Sequence, residues 1–277
     1  MTQGKRGQRE GEAPPAPEPL AVAVADSHCH LDIMGGDVAE QLALAASVGI
    51  DTVIQVGVDL ESSRLAARLA EQYDVVWATV ALHPNEAGRG AATPEALAEI
   101  RQLAQLPQVK GVGETGLDHF RTGPEGQVAQ EESFRAHIAI AKETGKALVI
   151  HDRDAHADVL RVLDEEGAPD VTVFHCYSGG AAMARICADA GYYLSFAGPV
   201  TFKPNDDLRA AAAICPQDRL LVETDAPFLT PMPFRGRPNA PYLIPHTMRA
   251  LAAARNEDLD TLCGAVAANT KRAFDLP

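Results

Sequence analysis

The sequence predicts an α/β protein, a single-domain (β/α)8 barrel of the TIM type. From residue 20 onward, short apolar runs alternate with helical patterns eight times, as expected when each strand is followed by a helix. The runs are rich in Val and Ile without clean alternation, which is typical of parallel strands buried on both faces. The chain of 277 residues has no evident repeat or linker that would divide it. A doubly wound open sheet is the alternative.

The predicted strands are the apolar runs, and the predicted helices lie between and after them. We place the strands at 20–25, 52–58, 75–81, 109–113, 147–150, 171–174, 192–196 and 220–222. Helical patterns cover 37–49, 61–72, 94–106, 127–145, 154–167, 180–190, 205–214, 242–255 and 258–273. The pair Thr93-Pro94 is a helix start signal, and several predicted helices end near a glycine.

Residues 1–19 differ from the rest of the chain in composition. They are rich in Gly, Pro, Glu and Arg and contain almost no large apolar side chains. Such a segment buries too little surface to offset the entropy of ordering it. We therefore expect a disordered tail over 1–19 and the barrel over 20–277.

Composition and charge narrow the class of protein. With 46% hydrophobic and 22% charged residues, the chain resembles a globular enzyme. Its net charge of −14 argues against broad electrostatic affinity for nucleic acid, although divalent cations in a carboxylate-rich pocket can still attract a phosphate. Five scattered cysteines favour the reducing cytoplasm. No apolar stretch reaches the roughly 18 residues of a membrane helix, so we expect no membrane association. A monomer is favoured.

The segment from Asp26 to Asp32 is the most informative part of the chain. It places His28 and His30 directly after an apolar run, and the two imidazoles share one face of a strand while Cys29 points away. Together they could hold a divalent metal, with Asp26 or Asp32 orienting them. The pair by itself is also compatible with two ordinary histidines.

Further candidate ligands follow other strands at the same relative position. They are His83, Glu114, His151, His175 and Asp225. Since active sites of (β/α)8 barrels lie at the carboxyl ends of the strands, these side chains are expected to converge. Mixed nitrogen and oxygen ligands suit zinc or manganese, and magnesium less well. There are enough ligands for two metals, with Glu114 bridging and Asp225 accepting the proton of an attacking water. One structural metal is the alternative, which the lack of a cysteine cluster disfavours.

Five ordered motifs resemble the signatures of the TatD family of metal-dependent deoxyribonucleases. They are Ser27-His28-Cys29-His30-Leu31-Asp32, Gly113-Glu114-Thr115-Gly116-Leu117-Asp118, Ile150-His151-Asp152-Arg153-Asp154-Ala155, Phe174-His175-Cys176-Tyr177-Ser178-Gly179 and Glu223-Thr224-Asp225-Ala226-Pro227. The similarity runs from about residue 24 to the C-terminus. The sequence departs from the family at Thr115 and His119, neither of which is a candidate ligand.

The resemblance implies an amidohydrolase-like barrel with two divalent metal ions, which are magnesium, manganese or zinc. It places one metal on His28, His30, Glu114 and Asp225, and the other on Glu114, His151 and His175. It also implies hydrolysis of phosphodiester bonds in DNA, often from the 3′ end, with Asp225 and Glu114 as catalytic residues. The alternatives are hydrolysis of an amide, ester or lactone at the same site, or a non-catalytic metal-binding protein.

Three residues near the strand ends are predicted to bind substrate. His83 could contact a phosphate or pack its loop, and Arg153 could bind phosphate or pair with Asp152 or Asp118. Arg235, in a Pro-rich loop after the eighth strand, could shape the pocket mouth or order that loop. Three other histidines fall within helical patterns and are predicted to lie on the surface: His137, His156 and His246.

Overall fold

The computed structural model describes residues 11–277, and residues 1–10 of the predicted tail lie outside the described residues. The described chain forms one sheet of eight parallel strands in sequential order. The strands are β1 Val24–Cys29, β2 Ile50–Val56, β3 Val76–Val80, β4 Val109–Asp118, β5 Ala147–Arg153, β6 Thr172–Phe174, β7 Tyr193–Phe196 and β8 Leu220–Val222.

Eleven α-helices lie along the described chain, most of them following a strand. They are α1 Leu31–Met34, α2 Val38–Ser47, α3 Leu60–Gln72, α4 Pro84–Ala87, α5 Pro94–Leu103, α6 Pro124–Thr144, α7 His156–Glu166, α8 Ala181–Asp189, α9 Asp206–Ile214, α10 Ile244–Arg255 and α11 Leu259–Ala273. The predicted start at Pro94 is confirmed, since the Thr93 side chain accepts a hydrogen bond from the backbone N–H of Ala96. Within residues 11–277, no helix combines the length and apolarity needed to cross a bilayer.

The segment after β8 returns to β1 and closes the barrel. The backbone N–H of Asp225 donates to the carbonyl of His28 at 2.9 Å, and that of His30 donates to Ala226 at 2.9 Å. Cys29 and Ala226 form a parallel bridge at the same point. The (β/α)8 barrel is therefore confirmed over the open sheet.

Three strands extend beyond their predicted carboxyl ends. The apolar patterns stop before His28, Glu114 and His151, whereas the strands continue to Cys29, Asp118 and Arg153. Hydrophobicity marks only the part of a strand inside the core, but backbone pairing between β4 and β5 continues through Asp118 and Arg153. The candidate ligands on these strands thus lie within the strands, although the pairing register shifts beside His28 and beside Glu114.

Alternate positions of several strands face two separate apolar clusters. In β5, Leu148 and Ile150 pack in the large cluster with the surrounding helices, while Val149 packs with Val173 and Leu221 in a smaller cluster. Because successive strand side chains point to opposite faces, the smaller cluster is the barrel interior. A residue two positions after an interior residue such as Val149 lies on the same face of its strand. Its side chain therefore points into the carboxyl end of the barrel.

His137 is a correction to the predicted surface position. It lies buried on α6, where its Nδ1 donates to the carbonyl of Ser133 at 2.7 Å. Its Nε2 accepts from the backbone N–H of Leu82 at 3.1 Å. This face of α6 covers the loop after β3, so the imidazole anchors the loop that carries His83.

Residues 12–19 do not follow the predicted disorder. Arg237 donates to the carbonyls of Glu12 at 2.8 Å and Ala13 at 3.0 Å, and the Tyr242 hydroxyl donates to Pro14 at 2.6 Å. Arg249 donates to the carbonyl of Glu18 at 2.7 Å. A Pro-rich segment with few apolar side chains still offers backbone carbonyls, and these acceptors bind it to the barrel.

Candidate metal centre

The carboxyl ends of five strands bring the six predicted metal ligands into one cluster. His28 and His30 approach Asp225 from β1, with Nε2 to Oδ1 distances of 3.9 Å and 3.5 Å. Of the other three, Glu114 lies on β4, His151 lies on β5, and His175 directly follows β6. His151 lies two residues after Val149 and His175 two after Val173, so both continue the inward face of their strands.

Glu114 lies at the centre of the cluster, with its two carboxylate oxygens facing different histidines. Its Oε2 is 3.4 Å from Nε2 of His28 and 3.8 Å from Nε2 of His30. Its Oε1 is 2.6 Å from Nδ1 of His151 and 2.9 Å from Nε2 of His175. A carboxylate in this position can bridge two cations.

His83, which the sequence places among the candidate ligands and the possible substrate contacts, also reaches the cluster. Its Nε2 lies 3.3 Å from Oε1 of Glu114, and its ring centroid is 4.6 Å from that of His151. The backbone N–H of Asn85 donates to Nδ1 of His83 at 3.0 Å, which directs Nε2 inward. Both predicted roles, packing of its loop and contact with a substrate phosphate, are compatible with this position.

Gly116 permits the close approach of β4 and β5 beside the cluster. A Cβ atom at this position would lie 2.1 Å from the carbonyl oxygen of His151, and the residue has a φ of +132°. Only glycine tolerates both conditions without strain. The glycine therefore serves the backbone that positions His151.

Two carboxylates orient the imidazoles from outside the cluster. Glu223 accepts from Nδ1 of His175 at 3.1 Å and from the backbone N–H of Cys176 at 2.9 Å. Asp118 lies 3.3 Å from Nε2 of His151. The sequence indicates Asp118 only as a partner of Arg153, yet its even spacing from Glu114 on one strand is a signal that both face inward.

Asp26 and Asp32 do not orient the imidazoles as the sequence suggested. Asp26 accepts from the backbone N–H groups of Thr224 at 2.9 Å and His28 at 3.3 Å, which ties β1 to the segment after β8. Burial raises the pKa of Asp26 to about 7. Asp32 accepts from the Gln55 amide at 2.8 Å. Asp26 therefore holds the backbone directly, whereas Asp32 holds the Gln55 side chain, whose Oε1 accepts from the backbone N–H of Leu31 at 2.7 Å.

The electrostatics of the cluster favour ionised carboxylates and act in opposite directions on different imidazoles. Burial lowers the pKa of His28 and His83, whereas the neighbouring carboxylates outweigh burial and raise the pKa of His30, His151 and His175. Burial by itself would raise the pKa of Glu114, but the charges of His175 and His83 outweigh burial and hold it well below its usual range. Burial likewise would lower the pKa of His175, but Glu114 and Glu223 outweigh it and raise that pKa well above its usual value. Protons bound to the imidazoles with a raised pKa therefore supply the positive charge that a bound metal ion would otherwise supply.

The side chains fit divalent cations. His28 is fully buried, and neither of its ring nitrogens has a hydrogen-bond partner among the described residues. Burying an imidazole without a partner is costly, and a metal ion would remove that cost. Three groups of possible ligand atoms lie close together: His28, His30 and Asp225; His28, Glu114 and His175; and His83, Glu114 and His151.

The two predicted arginines lie at the mouth of the barrel on aromatic rings. The guanidinium of Arg153 is 4.0 Å from the ring centroid of Phe120, and that of Arg235 is 4.4 Å from the centroid of Phe202. The ion pairs considered for Arg153 are not formed. Its two candidate partners bond histidines: Asp118 contacts His151 at 3.3 Å, and Asp152 contacts His156 at 2.7 Å.

A (β/α)8 barrel with histidines and carboxylates gathered at the carboxyl ends of its strands has the architecture of a metal-dependent hydrolase. Residues 25–275 match the profile of the family described as TatD related DNase. The chain belongs to the TatD family of metal-dependent hydrolases, and the resemblance noted in its motifs is confirmed.

Individual relatives span nearly the whole chain. A metal-dependent hydrolase TatD from Mycobacterium tuberculosis is 46% identical over 259 residues, covering 91% of this chain and 97% of the relative. A 3′-5′ ssDNA/RNA exonuclease TatD from Citrobacter rodentium is 35% identical, covering 86% and 91%. The crystal structure of YjjV, a TatD homologue from Escherichia coli, superposes with a TM-score of 0.86 at 28% identity, covering 92% of this chain and 98% of that chain.

Proposed function

We propose that this hydrolase cleaves phosphodiester bonds in single-stranded DNA from the 3′ end, with two divalent metal ions. The observation that carries the proposal is Glu114, whose two oxygens face two separate groups of histidines. The name of the Citrobacter rodentium relative, a 3′-5′ ssDNA/RNA exonuclease, supports the choice of substrate.

In this proposal each metal is magnesium, manganese or zinc and has its own ligands. One would be held by His28, His30, Asp225 and Oε2 of Glu114. The other would be held by His151, His175 and Oε1 of Glu114. When bound, such ions polarise the phosphoryl oxygens and lower the pKa of a water molecule.

Asp225 is the proposed proton acceptor for the attacking water. Burial would raise the pKa of Asp225, but its hydrogen bond with His30 and the charge of His28 outweigh burial and lower that pKa. The carboxylate is therefore ionised at neutral pH and can accept a proton. Glu114, which contacts the histidines of both metal sites, would keep the second site at a fixed distance from Asp225.

His83, Arg153 and Arg235 are the proposed substrate contacts. His83 directs a ring nitrogen toward the cluster, where a substrate phosphate would lie. The two guanidinium groups supply positive charge at the mouth of a chain whose net charge is −14, and Arg can contact a phosphate through two parallel hydrogen bonds.

We further propose that the protein works in the cytoplasm as a monomer. All five cysteines are free, and four of them are buried, which is typical of reduced proteins. Every residue of the candidate metal centre comes from one chain, so the proposed chemistry requires no second copy.

The direct test is an assay on metal-free protein to which single cations are returned. Labelled single-stranded DNA and bis-p-nitrophenyl phosphate serve as substrates, and calorimetry counts the metal ions bound. We expect binding of two ions, cleavage only with a divalent cation, and loss of a 3′ label first. Cleavage that persists in chelator would refute the mechanism, and activity on amides or lactones without any on phosphodiesters would favour the alternative substrate class.

A further inference from the structure

Phe120 is an exposed aromatic side chain beside the candidate metal centre. The residue is 62% exposed, the highest value among the exposed aromatic residues of the described chain. It follows β4 by two residues. The ring of Phe202, which supports Arg235 on another loop, is only 9% exposed and cannot offer a face to a ligand.

The backbone on both sides of Phe120 is held in place. The N–H of His119 donates to the carbonyl of Arg153 at 2.9 Å, and the N–H of Arg121 donates to the Asp118 carboxylate at 2.8 Å. The exposed ring is thus carried by a fixed loop. A rigid ring loses little entropy when a ligand packs on it.

Arg153 packs against one face of this ring, and Phe120 nevertheless remains 62% exposed. The Arg153 guanidinium lies 4.0 Å from the ring centroid, a cation–π contact that also fixes the direction of the guanidinium N–H groups. Arg153 lies opposite Asp118 in the register of the two strands, and Asp118 contacts His151 at 3.3 Å. Two residues of strand separate His151 from Arg153, a rise of about 7 Å.

We propose that Phe120, backed by Arg153, is a stacking platform for a base of the nucleic acid substrate. A base and a phosphate are adjacent groups of one nucleotide chain, and the structure places an exposed ring and a guanidinium beside the cluster that would receive the phosphate. Stacking on an aromatic side chain is tolerant of sequence because every base has a π-face. The inference deepens the proposed nuclease function and rests on it.

Replacing Phe120 tests this platform through the substrate. In Phe120→Ala, KM for single-stranded DNA should rise about 10-fold, within the range expected for losing one stacked base, while kcat changes less than about twofold. Hydrolysis of bis-p-nitrophenyl phosphate, which carries no base, should not change. Oligonucleotides with abasic 3′-terminal positions should show no difference between wild type and variant. Val128→Ala, another exposed apolar position with 67% of its surface exposed, is the matched control.

A second variant reports binding independently of turnover. In Phe120→Trp, combined with Asp225→Asn to stop cleavage, the added indole should be quenched by oligonucleotide and not by abasic oligonucleotide. The sequence contains one natural tryptophan, Trp77, so Asp225→Asn without the second change gives the background.

The outcomes separate this inference from the proposed function. If wild type cleaves both substrates and Phe120→Ala matches it on DNA, or loses both activities equally, the platform is overturned. If wild type cleaves neither phosphodiester, the nuclease proposal fails. In that case the fluorescence of the added indole decides the inference: quenching by oligonucleotide supports base binding, and absence of quenching overturns it.

Discussion

The buried metal centre and the exposed rim of the barrel are built in different ways. Ligands such as His28 and Glu114 stand on strands and are at most 4% exposed, so backbone pairing and burial fix their positions. Rim residues such as Arg153 and Phe120 stand at strand ends and in loops, where a guanidinium–ring contact orients them. Chemistry should therefore depend on the first region and substrate affinity on the second. The following predictions test that division.

The largest effect is expected at the proton acceptor in the buried centre. Asp225→Asn should lower kcat on single-stranded DNA by about 100-fold or more, the scale for losing a general base or a metal ligand. The rate of bis-p-nitrophenyl phosphate hydrolysis should fall by the same factor, since both substrates use the same centre. Asp189→Asn, an exposed change of the same type, should leave both rates intact. Equal activity of Asp225→Asn and wild type would contradict the assignment.

The next effect concerns His137, which anchors the loop beneath the rim. Burial lowers the pKa of His137 to about 4, so between pH 4 and its unfolded value of 6.5 the unfolded chain binds a proton that the native imidazole does not. The free energy of unfolding should consequently fall as pH drops through this window, by on the order of 3 kcal/mol from this group, and recover above it.

His137→Gln removes that titration while it keeps an acceptor for the Leu82 N–H. Urea unfolding at pH 4.5 and pH 7 should show a smaller difference for the variant than for wild type. His156 is a half-buried histidine on α7. The variant His156→Gln therefore provides a comparison in which another titrating group is removed. An unchanged difference in His137→Gln would show that the imidazole is not buried in its neutral form.

A smaller loss is expected where a residue acts on the centre through another side chain. Glu223→Gln replaces the carboxylate that accepts from Nδ1 of His175 at 3.1 Å with an uncharged amide. Loss of a group that orients a metal ligand reduces metal affinity or activity by about 10- to 100-fold. Calorimetric titration of the metal-free protein should show the weaker binding directly. The exposed Glu71→Gln serves as control. Metal affinity equal to that of wild type would mean that the His175 contact is only structural.

The smallest effect is expected at the rim. Arg235→Ala should raise KM for single-stranded DNA by only about three- to fivefold, because exposed charges are screened by solvent. Its kcat and the hydrolysis of bis-p-nitrophenyl phosphate should stay constant. Arg185→Ala removes an equal charge from an exposed position on α8. A large fall in kcat would show that Arg235 contributes to the chemical step, and it would contradict the assignment of chemistry to the buried centre and substrate affinity to the rim.

Predictions from sequence succeeded where position along a strand decides position in space. His151 and His175 follow apolar runs by a fixed step, so the barrel geometry carries them inward together. Predictions failed where contacts join distant segments. The hydrogen bonds from Arg237 to the carbonyls of Glu12 and Ala13 order residues expected to be disordered. Such bonds use backbone carbonyls, which every residue has, so the local composition cannot predict them.

The sequence by itself determined the order of strands and helices, the family, and which polar side chains converge at the carboxyl ends of the strands. These follow from hydrophobic periodicity and strand parity, which are local properties of the chain. The tertiary structure decided how the two oxygens of Glu114 divide the histidines, which carboxylates orient them, and that Arg153 lies on Phe120. Those features depend on distances of a few ångströms between side chains far apart in sequence, and only the closed barrel sets them.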